Sequence, residues 1–316
     1  MQQYRSYQDV LLVPNYSELE TRNDADVSVK FLGKKFRIPV IPSNMVSVID
    51  QKIARQFSNN DLFYVMHRFG INPHTFVYDN PDINNISISV GVSKTNEEYK
   101  NLLSLAGSHL KVDYITIDVA HGDHLMVKDR IFLLKKYFPN SKIIAGNVAT
   151  LDGYKRLVEW GADAVKVGIG QGSICTTRFK TGFSLPMFDC VREIAQSRYA
   201  KSYGVPIIAD GGIKDIGDIS KALVAGATMA MCGSLFAKCA DSPAKIVDGK
   251  KLYFGSTSYE AKGHKSYIEG QLLHVEVDPP LMERVEEIEM GLKSAVSYSG
   301  GKDLSGFKNV KYVYTN

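Results

Sequence analysis

Between Gly168 and Arg178 the chain reads GIGQGSICTTR, and the residue types there are those of nucleophilic chemistry. A thiol attacks as its thiolate, and Cys175 stands among Ser173, Thr176 and Thr177, hydroxyls able to donate to sulfur or to a reacting group beside it. Glycines at alternate positions, Gly168, Gly170 and Gly172, cost backbone entropy unless the loop needs conformations closed to other residues. A glycine turn leading into a buried structural cysteine is the plain alternative, and the polar surroundings favour the nucleophile. The stretch nearly imitates the dinucleotide fingerprint GxGxxG, with Asp189 downstream as the ribose acid, but Gly172 comes one residue too early for it.

Such a loop needs a frame to bring partners to it. Eight short apolar runs recur along the chain, at 38–45, 62–69, 86–92, 114–120, 142–148, 164–169, 206–212 and 229–236. Each is rich in Val, Ile or aromatic residues without strict alternation, the pattern of parallel strands covered on both faces. Helical stretches lie between most of them, at 50–57, 96–105, 127–138, 152–160 and 216–225, the last with Gly226 as its stop. Eight strands each followed by a helix predict a (β/α)8 TIM barrel, with an open doubly wound sheet as the alternative. Sites in a barrel sit beyond the C-terminal ends of the strands. The residues there are Ser43, Asn44 and Met45; Asp118, then His121 and Gly122; Gly146 and Asn147; the cysteine loop; Asp210, Gly211 and Gly212; Gly233 and Ser234. The last two groups read as a phosphate cradle. Taken singly, Asp118 is equally a helix cap and Asn44 a turn residue; their convergence on one rim is the argument. His67 reads as a structural histidine, and His121, Asp123 and His124 are too few for a metal set, with a base role for either histidine unassigned. After the eighth run come a turn at Asp248, Gly249 and Lys250 and a glycine and hydroxyl cluster at 255–258. A polar segment, 259–268, is expected to be mobile and to close over the site, and a final helix follows near 281–297.

Composition narrows the class. The 316 residues are 44% hydrophobic and 23% charged, enough for a sizeable core, and the net charge of +4 is spread without a basic run, so a nucleic-acid partner is not expected. The four cysteines form no CxxC pair and no metal-ligand spacing, which implies free thiols in a reducing compartment. The start lacks a signal pattern, and no stretch approaches the roughly 18 apolar residues of a membrane helix. The expectation is a cytoplasmic chain forming one catalytic domain over 1–316, without an inserted module or internal repeat.

In order along the chain, IPSNM at 41–45, DVAHG at 118–122, GNV at 146–148, the loop 168–177, KTG at 180–182, IADGG at 208–212 and SGG at 299–301 resemble the motifs of the IMP dehydrogenase/GMP reductase family. The likeness covers nearly the whole chain. Through MHRF at 66–69, DVAHG and the segment 254–270, it is most similar to the bacterial GMP reductase branch. The second and third runs leave no room for the regulatory insert usual in IMP dehydrogenases, and 255–270 is shorter than their flap and holds no Arg-Tyr pair.

The resemblance implies NADPH-dependent reductive deamination of GMP to IMP and ammonia through a cysteine-bound purine. Cys175 would attack C2, while Thr177 and Glu269 would help protonate the departing ammonia. The nucleotide would be held by Ser43, Asn44, Met45, Ser173, Asp210, Gly211, Gly212, Gly233, Ser234, Gly255, Ser256 and Gly270. The cofactor would lie against Asp118, Val119, Ala120, Gly168 and Gly170. A monovalent cation, potassium, would be held near Gly170, Gly172, Cys175 and Arg178, and the assembly implied is a homotetramer. Three departures stand out: Gln171 where the family loop has proline, Ser184 and Leu185 interrupting a glycine-rich stretch, and Asp123 with His124 after Gly122. An IMP dehydrogenase without its regulatory module and a non-catalytic nucleotide-binding barrel are the competing readings.

Overall fold

A computed structural model describes residues 3–255 and 271–315. Seven parallel strands run side by side in the order Val40–Pro42, Met229–Cys232, Ile207–Asp210, Ala164–Val167, Lys142–Val148, Tyr114–Asp118 and Ser87–Val90. Sequence neighbours are therefore mostly neighbours in space, and the first strand pairs with the last, as closure requires.

The remaining place, between Ser87–Val90 and Val40–Pro42, is taken by residues 62–66. They were expected as a strand through Phe69, but they make a single parallel bridge, Met66 to Ile88. The Met66 N–H donates to the Ser87 carbonyl (3.1 Å), the Ser89 hydroxyl donates to the Met66 carbonyl (2.7 Å), and the Arg37 N–H donates to the Asp61 carbonyl (2.8 Å). Side chains rather than a ladder seat this segment. Phe63 packs edge-to-face on Phe31, Phe36 and Tyr114 with centroids 5.0, 5.3 and 5.0 Å apart, an arrangement that adds to simple burial. The fold is a (β/α)8 TIM barrel with one weakly paired stave.

Its interior is filled by Ile41, Phe63, Val65, Tyr114, Ile144, Ala164, Ile208, Met229 and Met231, with Phe31 and Phe36 packed against them. Those two phenylalanines belong to a hairpin, Val29–Phe31 with Lys34–Phe36, and their neighbours Phe63, Tyr114 and Met229 open their staves. The hairpin thus plugs the N-terminal mouth, and the C-terminal mouth stays free for the loops.

Local sequence accounts for the helices on the outside. Asp50, Asn96 and Thr150 each cap the helix that follows by accepting a backbone N–H, from Ile53 (2.9 Å), Tyr99 (3.0 Å) and Gly153 (3.1 Å). The helix Ile216–Ala225 ends where expected, at Gly226 with φ of 112°. The helix expected at 127–138 begins earlier, as Leu125–Tyr137, because the His124 Nδ1 accepts from the Met126 N–H (3.1 Å) and serves as its cap. Among the described residues, no helix is long and apolar enough to cross a membrane.

Candidate active site

The Ala164–Val167 strand delivers the cysteine loop to the open mouth. Gly168 has φ of +137°, and a Cβ there would fall 2.1 Å from the Asp210 carbonyl oxygen, so only glycine lets the loop cross the end of Ile207–Asp210 this closely. The Cys175 N–H donates to the Gly172 carbonyl (3.0 Å), turning the thiol inward, and its Sγ lies 3.2 Å from the Thr177 Oγ1 as hydrogen-bond donor. Thr177 opens a short helix, Thr177–Thr181. Cys175 is partly exposed, whereas Cys190, Cys232 and Cys239 are buried. Burial pushes the Cys190 and Cys239 thiols up to about 12 and that of Cys232 also upward, which leaves Cys175 as the accessible thiol.

Two cavities share Cys175 in their walls. One, of about 160 Å³, is lined by Ser43, Met45, Gly172, Ser173, Ile174, Cys175, Asp210, Gly211, Gly212, Ile213, Met231, Gly233, Ser234, Tyr253 and Gly255. The other, of about 220 Å³, shares Ser43, Met45, Gly172, Cys175, Asp210, Gly211 and Met231 and extends past Asn44, Arg68, Phe69, Asp118, Val119, Ala120, Asn147, Lys166, Gly168, Gly170, Gln171 and Thr177. A molecule in either cavity therefore lies against Cys175, an arrangement suited to bringing two reactants to one residue.

Charges are arranged along the second cavity. Lys166, 2% exposed, places its Nζ 3.1 Å from the Asp210 Oδ2 and 3.6 Å from the Asp118 Oδ1. Burial works against its charge, but the two carboxylates more than offset this and raise its pKa above the ordinary lysine value. The Asn147 Nδ2 donates to the Asp210 Oδ2 and to the Gly168 carbonyl, both at 2.8 Å. Arg68 reaches the Glu98 carboxylate at 2.9 Å and Asp118 at 3.8 Å. In the first cavity, Tyr253 is buried over Gly233, where a Cβ would meet its hydroxyl at 2.3 Å, and burial pushes that phenol well above its ordinary value despite a hydrogen bond with Ser173.

A model of the "IMP dehydrogenase / GMP reductase domain" matches residues 76–315. The chain is 43% identical to the GMP reductase of Oceanobacillus iheyensis over 320 residues, covering 99% of this chain and 96% of that one. It is 43% identical to the GMP reductase of Bacillus subtilis with the same coverage, and 42% identical to that of Staphylococcus aureus over 97% of this chain and 95% of that one. The chain belongs to the IMP dehydrogenase/GMP reductase family.

Most residues that family resemblance singled out come together here. Ser43, Met45, Ser173, Asp210, Gly211, Gly212, Gly233, Ser234 and Gly255 line the first cavity, and Asn44, Asp118, Val119, Ala120, Gly168, Gly170 and Thr177 the second. Asn44 is buried with its Nδ2 free of any partner among the described residues. Asp118 caps no helix; it ends a strand and faces two cations. Ser256, Glu269, Gly270 and the polar segment 259–268 lie outside the described residues. Arg178 lines neither cavity and is exposed. Among the residues assigned to a cation, the Gly172 carbonyl accepts from the Cys175 N–H and the Arg178 carbonyl from the Gly182 N–H (3.1 Å). Among the described residues, no group of His, Cys, Asp and Glu side chains is placed to hold a metal.

Two departures from the family pattern turn out to be partners. The Gln171 Nε2 donates to the Ser184 Oγ (2.7 Å), which donates to the Ile169 carbonyl (2.7 Å), so a hydrogen-bonded clasp closes the loop where the family has proline. In the third departure, Asp123 accepts from the Arg156 Nε (2.6 Å) and His124 is the cap already described. Sequence reasoning missed Lys166, Arg68 and Tyr253. Lys166 left one signal, a lysine inside the apolar run AVKV at 164–167, since a buried lysine needs a partner. Arg68 lay inside the MHRF motif without a role of its own, and Tyr253 left no signal.

Proposed function

We propose that this chain reduces GMP to IMP, releasing ammonia, with NADPH as the hydride donor. The observation that carries the reading is the single accessible thiol at the junction of two cavities, with a hydroxyl 3.2 Å from the sulfur. GMP occupies the first cavity. Asp210 accepts ribose hydroxyls, while the glycines at 211, 212 and 233 leave room for the 5′-phosphate against backbone N–H groups and the Ser234 hydroxyl.

The Cys175 thiolate adds to C2 of the purine and the ring nitrogen beside C2 takes a proton, which breaks the conjugation that makes the amine a poor leaving group. The C2–N bond then breaks with a proton delivered through Thr177, Glu269 serving as the partner acid, and ammonia departs. A reduced nicotinamide in the second cavity supplies hydride to C2 when bound. The sulfur then leaves with its bonding pair as the ring nitrogen gives up the proton it took, which yields IMP and restores the thiolate. Asp118 and Arg68 hold the cofactor side, and Met45 and Met231 line both cavities. The same reading carries a homotetramer and a potassium ion on the loop carbonyls.

The test is direction of reaction. Purified protein with GMP and NADPH is expected to consume NADPH and release IMP and ammonia, while IMP with NAD⁺ or NADP⁺ gives no sustained XMP. Steady XMP from IMP would make the chain a dehydrogenase, and GMP binding without turnover would make it a nucleotide-binding barrel.

A further inference from the structure

Lys166 sits midway along a strand of otherwise apolar residues, with its stem pressed on the neighbouring strand: a Cβ on Gly146 would lie 2.6 Å from the Lys166 Cβ. An ammonium taken this far from water is tolerated only with charged partners, and it has two, on opposite sides. Asp118 lines the second cavity alone, and Asp210 lines both. Each carboxylate has a further partner of its own, Asn147 for Asp210 at 2.8 Å and Arg68 for Asp118 at 3.8 Å. Lys166 touches both, at 3.1 and 3.6 Å.

We propose that Lys166 is a positioning residue that couples the two cavities, holding Asp118 in place for the second ligand according to what the first ligand does to Asp210. The inference rests on the reading of the cavities as the GMP and nicotinamide sites. Ribose hydroxyls donating to Asp210 share its negative charge, so its pull on the ammonium weakens. The fixed stem then lets the Nζ turn toward Asp118, and that carboxylate is ordered before the second ligand arrives. Coupling of this kind is reciprocal: the second ligand must tighten the first by the same factor.

The experiment is calorimetric titration of GMP into the full chain, alone and with saturating NADP⁺, which cannot reduce it. The native protein is expected to bind GMP at least about fivefold more tightly with NADP⁺ present, the lower end of ordinary site-to-site coupling. In Lys166→Met that ratio is expected to fall to within about twofold of one, and Lys166→Arg, which keeps a cation, to retain most of it. Should Lys166→Met fail to fold, Lys166→Gln, which keeps a polar end without the charge, is expected to lose the coupling in the same way.

A role limited to structure would weaken GMP alone and leave the ratio untouched, and that result overturns the inference. So does a native ratio already within about twofold of one. GMP that binds without coupling sinks this inference alone, whereas a native protein that binds no GMP sinks the proposed function and the inference with it.

Discussion

His67 follows the buried 62–66 segment and is itself 6% exposed, with its Nδ1 free of any partner among the described residues. Burial pushes its imidazole down from 6.5 to about 4, against smaller opposing contributions from Asp50, the Phe69 backbone and Asp118. In the fold it is therefore neutral at pH 7 and stays so as the pH drops, while the same side chain in the unfolded chain takes up a proton once the pH passes below its ordinary value. Between those two values the unfolded state holds more protons, so stability falls as pH falls, and the loss is complete below the folded value. These values put the loss between pH 7 and pH 5 at about 2 kcal/mol and the full loss near 3 kcal/mol. Against a typical stability of about 5–15 kcal/mol that is a large share. The perturbation is His67→Gln, which keeps a polar side chain of similar size that does not titrate. Urea unfolding of both chains at pH 7 and pH 5 is expected to show the native protein losing about 2 kcal/mol more than the variant. Carboxylates held low by their own partners, such as Asp26 by Ser28 and Asp123 by Arg156, titrate below this window and cancel between the two chains. Losses equal to within about 0.5 kcal/mol would mean that His67 is not held neutral, and the reasoning from burial would fail.

Cys175→Ala is expected to abolish turnover while GMP still binds, because the ribose and phosphate contacts come from other loops; turnover within about tenfold of native, near 1.4 kcal/mol of barrier, would rule out an obligatory covalent step. Ser184→Ala removes the middle of the Gln171–Ser184–Ile169 clasp, where an orphaned partner costs about 1–3 kcal/mol. We expect kcat to fall by about tenfold with a smaller change in KM for GMP, and slower alkylation of Cys175, since the loop is less often closed. An unchanged kcat and alkylation rate would show that the clasp does not hold the thiol.

Much of this molecule is written in short stretches of chain. Caps such as Asp50, Asn96 and Thr150 act on amides three residues away, and Gly226 stops its helix through its own φ, so these boundaries can be read locally. Burial of the barrel staves is likewise legible, because a strand covered on both faces must be apolar throughout. The thiol loop announced itself through its glycines and hydroxyls, and the resemblance of its motifs to one family extended that to the rim. Where local patterns ran short, a specific contact decided. His124 became a cap, a helix began earlier than its apolar spacing implied, and residues 62–66 were seated by aromatic packing on Phe31 and Phe36 with barely a ladder. The site's electrostatics belong wholly to the tertiary structure. Asp118, Lys166 and Asp210 lie on three different strands, and Gln171 meets Ser184 across a loop. A charge carries no mark of its partner in the sequence; only closure of the barrel brings Asp118 and Asp210 to the one buried ammonium between them, which is why that lysine passed unread within an apolar run.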